Sequence, residues 1–209
     1  RTPGANPIRQ GLDNLNEAGS LYGAIIYQKA PVIMRHLEAL LGEESFRDGL
    51  REYLNAHRFG NATWTDLIAV LDRRTPTDLQ AWSKVWVEQP GRPTVTTELS
   101  VADGRITRLA FRQRDIWNRG RVWPQQLRVA LGDASGGTKT IKVALDGAVV
   151  EVEEAVGLPA PTFVLPNGEG WAYGGFELDD ASLDYLSRSL PSVGDVLTRG
   201  SAWVTLWDA

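Results

Sequence analysis

The sequence contains no cysteine, which excludes disulfides, thiolate metal sites and a thiol nucleophile. It has only two histidines, His36 and His57, on separate stretches of the chain. A His-Glu-x-x-His zinc helix brings two imidazoles to one face with the glutamate beside them. His36-Leu37-Glu38 does not supply that spacing, so the chain holds no complete metal site, and both histidines read as hydrogen-bonded or solvated. Long apolar runs are missing too, since none approaches the roughly 18 residues that span a bilayer. Nor is there an excess of positive charge. Lys and Arg number 22 against 26 Asp and Glu, a formal net charge of −4, and the basic residues are scattered. That balance argues against nucleic acid or an anionic membrane as a partner. No Gly-x-Ser-x-Gly elbow occurs, and Ser187, Ser189 and Ser192 fall in a helix-to-loop transition. The glycine-rich stretches Gly132–Gly137 and Gly168–Gly175 lack the lysine and context of a phosphate loop and read as hairpin turns.

What is present suits a folded chain with a substantial core: 209 residues, 43% hydrophobic and 23% charged. Residues 1–20, with Pro3, Gly4, Pro7, Gly11 and Gly19, read as loop. Arg1-Thr2-Pro3-Gly4 carries neither an initiator methionine nor a signal-peptide pattern and reads as the start of a piece cut from a longer chain. Helical spacing follows to Leu41 with Gly42 as C-cap, and again from Glu43 to Ala56, where Phe46, Leu50, Tyr53 and Leu54 share a face. Thr63-Trp64-Thr65-Asp66 is a capping box with Asp for the usual Glu. Thr77 is the expected N-cap of a fourth helix that buries Leu79, Trp82, Val85 and Trp86. Gln89-Pro90-Gly91-Arg92-Pro93 then ends helical periodicity, and the period changes to two. About seven short strands follow, beginning with Val95, Thr97 and Leu99 and a turn at Ala102-Asp103-Gly104, which points to an antiparallel β-sandwich. Glu151, Glu153 and Glu154 read as the solvated face of one strand. From Asp179 the pattern is helical again to the end. The fold class expected is therefore multidomain α and β: a helical segment, an antiparallel β-sandwich and a short helical tail.

The stretch Gly23–Leu41 is the one around which the chemistry can be organised. Apolar residues recur at Ile26, Ala30, Ile33, Met34, Leu37, Leu40 and Leu41. Pro31 is tolerated only in a first turn, so the regular helix is expected to start near Lys29–Pro31. Tyr27 and Lys29 then stand at its entrance, where free N–H groups and the positive dipole end lie. A phenol there can donate to a developing oxyanion, or it can simply fill the core; the residues alone leave both roles open.

Several stretches, taken in order, resemble the aminopeptidase N-like zinc metallopeptidases. Tyr27-Gln28-Lys29-Ala30-Pro31 is similar to that family's Tyr-x-Lys-Gly segment, and Leu41–Leu50 to the helix that follows. Ala62–Leu67 resembles its next helix start, and Trp86–Pro93 the Trp-x-x-Gln-x-Gly-x-Pro that closes the catalytic domain. Val164–Gly174 is similar to the end of the family's sandwich, and Asp195–Arg199 with Ala202-Trp203 to the opening of its helical C-terminal domain. The resemblance implies three parts: the C-terminal helical part of a thermolysin-like catalytic domain over 1–92, a β-sandwich over 93–178, and the beginning of the helical domain over 179–209. It implies a peptide substrate, a zinc ion in the parent enzyme and none bound by this chain. It also implies that Tyr27 donates a hydrogen bond to the tetrahedral intermediate. Two departures stand out: Ala30 replaces the usual glycine and Pro31 follows it. The family's zinc ligands and glutamates have no counterpart here, so the chain is expected to be inactive alone and able to self-associate through the face that the rest of the catalytic domain would cover. The alternative is a non-catalytic scaffold or peptide-binding module from a parent without a metal site.

Overall fold

The computed structural model describes residues 6–11, 14, 16, 19 and 25–208, except for the side chain of Ile26. Most of the loop expected over 1–20, with Gly23 and Ala24, lies outside the described residues. The chain divides into two compact units, one up to Pro90 and one from Gly91 onward.

The first unit is helical. A π turn, Ile25–Lys29, leads into α1 (Ala30–Leu41), followed by α2 (Glu43–Ala56), α3 (Trp64–Asp72) and α4 (Leu79–Trp86). Gly42 separates α1 from α2 with φ 81°, a conformation that L side chains rarely adopt, and its N–H donates to the Glu38 carbonyl. The capping box forms as read: Asp66 N–H donates to Thr63 Oγ1, and Thr63 N–H donates to Asp66 Oδ2 at 2.8 Å. The fourth helix departs from the expectation by one residue. Asp78, not Thr77, caps α4 by accepting from Ala81 N–H at 2.8 Å, because a carboxylate one position later meets the free amides directly. On α2 only Gly49 is buried; a Cβ there would lie 2.4 Å from Leu71 Cδ2 on α3, so the helices meet through a glycine notch. Leu54, expected on the inner face, is exposed. Ile33 and Leu37 on α1, Leu67, Ile68 and Leu71 on α3, and Leu79, Trp82 and Trp86 on α4 make the core of this unit.

The second unit is a sandwich of two sheets. β1 (Pro93–Ala102), β2 (Arg105–Asp115), β5 (Val149–Glu151) and β7 (Gly175–Glu177) form a four-stranded sheet in the order β5-β2-β1-β7. β3 (Gln125–Gly132), β4 (Thr138–Leu145) and β6 (Val164–Leu165) form a three-stranded one in the order β4-β3-β6. All pairings are antiparallel except β1 with β7. That parallel pair arises because the chain after β6 crosses to the other sheet, so Gly168–Gly175 is a crossing, while Asp133–Gly137 is a true hairpin turn. Glu151 sits on β5, whereas Glu153 and Glu154 form a 3₁₀ turn instead of extending it.

Val95, Ile106, Leu109, Phe111, Leu127, Val129, Ile141 and Val143 fill the space between the sheets. α5 (Asp180–Ser189) and α6 (Val196–Asp208) cover the other face of the smaller sheet, where Ala130, Phe163, Leu165, Leu186, Val193 and Ala202 form a second core. The outer face of the larger sheet carries a charge ladder: Arg108 bridges Glu151 and Glu98, and Arg112 reaches Glu98 at 2.6 Å. Hydrogen bonds from Arg112 and Arg108 hold Glu98 below the usual carboxylate range. Among the described residues no helix is long and apolar enough to cross a membrane.

At the end of β2, the Asp115 carboxylate is fully enclosed and accepts two hydrogen bonds from the Arg119 guanidinium, at 2.5 and 2.7 Å. Those bonds hold its pKa below the ordinary value. The folded chain therefore takes up the proton less readily than the unfolded one, whose Asp titrates at about 3.9. The stability this pair contributes is present above that value and is lost as pH falls through the lower, folded pKa. Urea unfolding across a pH series should show the sandwich weakening below pH ~4. Asp115→Asn should weaken it already at neutral pH and flatten the acid-side fall; an unchanged acid profile would remove Asp115 as its source.

Candidate functional site

The side chain singled out by sequence stands on the π turn that precedes α1. A proline at position 31 has no N–H for the carbonyl four residues back, that of Tyr27, and its ring crowds that carbonyl if the backbone stays α-helical. The structure has a wider π turn at Ile25–Lys29, and α1 begins at Ala30 with the proline in its first turn. No side chain caps this start: Lys29, in the cap position, has helical angles of φ −72° and ψ −50°. The chain thus enters α1 along a helical path and not from a loop.

The two residues at the entrance point in opposite senses. Lys29 is 1% exposed and Tyr27 is 69% exposed. Tyr27 therefore fills no core within this chain. Gln28 beside it is exposed as well. Below the turn, α1 is fixed by Ile33 and Leu37, both essentially without solvent contact, and by His36. The His36 ring meets Trp86 edge-on, with centroids 5.5 Å apart and planes at 81°. A rigid helix with a buried inner face thus carries an exposed phenol at its mouth.

The two histidines do not come together. His36 is buried against Trp86, while His57 ends α2 with its ring tilted against Tyr53 at 5.3 Å. Among the described residues no three His, Asp or Glu side chains are grouped so as to hold a metal ion. Among the described residues the donors present do not fit a zinc centre. Sequence reasoning placed Tyr27 at a helix entrance but missed the π turn; its signal was the pairing of Ala30 with Pro31.

The helical unit with its exposed tyrosine and the two-sheet sandwich can be set beside known proteins. The model of the peptidase family M1 domain matches residues 1–86. Aminopeptidase N of Streptomyces lividans is 30% identical over 221 residues, which takes in 99% of this chain and 25% of that protein. Aminopeptidase N of Lactobacillus helveticus is 32% identical over 125 residues, 58% of this chain and 15% of that protein. The crystal structure of Legionella pneumophila aminopeptidase A in complex with aspartic acid superposes with a TM-score of 0.70 at 19% identity, covering 98% of this chain and 23% of that one, and supports the fold.

Residues 1–86 thus carry the match to the peptidase family M1, whose aminopeptidases are zinc enzymes. Over its length the chain is similar to aminopeptidase N proteins. It spans a quarter or less of the length of these curated relatives.

Proposed function

We propose that this chain works as a segment of a zinc-dependent aminopeptidase that removes N-terminal residues from peptides, and that Tyr27 is its contribution to the reaction. The observation that carries this reading is the exposure of the Tyr27 phenol on a turn fixed to a buried helix. When a nucleophile adds to a peptide carbonyl, the oxygen becomes an anion. A phenol is neutral near pH 7 and can donate to that anion without first gaining a proton. Donors of this kind act because they are already oriented before the charge appears.

In this reading residues 1–92 are the C-terminal helical part of a catalytic domain, 93–178 its β-sandwich neighbour and 179–209 the opening of a helical domain. The break between compact units at Pro90 and Gly91 supports the first of these divisions. In this reading zinc is held by residues of the longer enzyme outside this sequence. The isolated chain is accordingly expected to bind no stoichiometric zinc after dialysis and to leave aminoacyl anilides intact. Metal analysis showing stoichiometric zinc, or anilide turnover by the chain alone, would overturn that assignment.

A further inference from the structure

The π turn raises a question that the position of Tyr27 alone does not answer: what keeps the phenol facing outward. Residues Lys29 and Ile33 are four apart, lie on one face, and are both 1% exposed. They fix the inward side of the helix start. Tyr27 precedes Lys29 by two residues and lies on the outward side. Between the inward anchor and the phenol the backbone follows a π turn, which holds one residue more than an α turn. Such turns are sharp, local features with identifiable causes. Pro31 stands in the first turn of α1, four residues after Tyr27, and has no amide to donate.

We propose that Pro31 is a positioning residue: by denying the Tyr27 carbonyl its α-helical donor, it holds the π turn that aims the phenol. The proposal rests on the reading of Tyr27 as the oxyanion donor. An amide restored at position 31 lets the turn tighten to α-helix and removes the extra residue from it. Removing one residue from the turn changes the rotation across it by roughly 100°, so Tyr27, inside the turn, would swing around α1 by part of that angle. The phenol would then leave the direction in which the substrate carbonyl lies.

The test is a double-mutant cycle in the longer aminopeptidase carrying this segment, with kcat and KM read separately. Pro31→Ala should lower kcat by about 10- to 100-fold with KM changed less than about threefold, the scale expected when a catalytic group is misplaced by an ångström or so. Pro31→Ser supplies the same amide with a different side chain and should do likewise. In a Tyr27→Phe background either change should alter kcat by less than about twofold, because the group it positions is already gone. Equal losses in both backgrounds would show that Pro31 acts on stability and not through Tyr27. If Tyr27→Phe by itself leaves kcat intact, the oxyanion reading fails instead, and the aim proposed for the phenol falls with it.

A second readout needs no activity. In the 209-residue chain, the backbone chemical shifts of residues 25–29 should move to α-helical values in Pro31→Ala, with thermal melting confirming that the variant folds. Unchanged shifts in a folded variant would overturn the proposal.

Discussion

Replacing Tyr27 by phenylalanine in the longer aminopeptidase should lower kcat by about 10²- to 10³-fold while leaving KM within a few-fold of its value, the pattern of an interaction made only in the transition state. The change deletes one oxygen and keeps the ring. Because the side chain is 69% exposed, its removal disturbs no core contact, and stability should stay within about 0.5 kcal/mol. The loss in rate corresponds to about 3–4 kcal/mol of barrier, the amount attributed to a single well-aimed donor in a water-poor site. Steady-state kinetics on an aminoacyl anilide, with a thermal melt alongside, separates the two quantities. Near-wild-type turnover in a folded variant would remove Tyr27 from the chemistry.

The largest effect on stability is expected at Trp86. This indole has no solvent contact and meets the ring of His36 on α1 edge-on. Trp86→Ala removes the indole and leaves a cavity that α1 and α4 can close only by shifting. Substitutions of this kind cost about 3–5 kcal/mol. With an m-value near 2 kcal/mol/M in urea, the unfolding midpoint of the helical unit should fall by about 2 M. A loss below about 1 kcal/mol would show that the helix carrying the Tyr27 turn does not depend on Trp86 for its place.

Much of the architecture is written in local signals, and the departures share a cause. α2 begins and ends where its first-turn acids and apolar spacing place it, and Gly42 and the Thr63 box mark their junctions, because backbone conformation and short-range hydrogen bonds decide them. The shift of the α4 cap from Thr77 to Asp78 is a choice between two adjacent oxygens, which tertiary geometry makes. The parallel pairing of β7 with β1 leaves no trace in alternation, since a strand shows the same period whichever way its neighbour runs. Leu54 satisfies the helical period and is still exposed, because period assigns a face and not a partner.

The candidate site follows the same division. Tyr27 was identified by its resemblance to the family's motif, and its position at a helix entrance by Pro31. The exposures of Tyr27 and Lys29 come from the folded chain, and no periodic pattern encodes the π turn of five residues on which they stand. The sequence carried Ala30-Pro31 without displaying the turn that precedes it.

One strand of the sandwich has a wider meaning than its place in a sheet. β3 is sealed on both faces: Leu127 and Val129 face the larger sheet, and Ala130 faces α5 and α6. Each core therefore borrows a wall from the other. A loss of order under α6 exposes the back of β3 and loosens the sandwich in front of it, so the helices that follow the sheets melt together with them as one cooperative block and not as a fraying appendage.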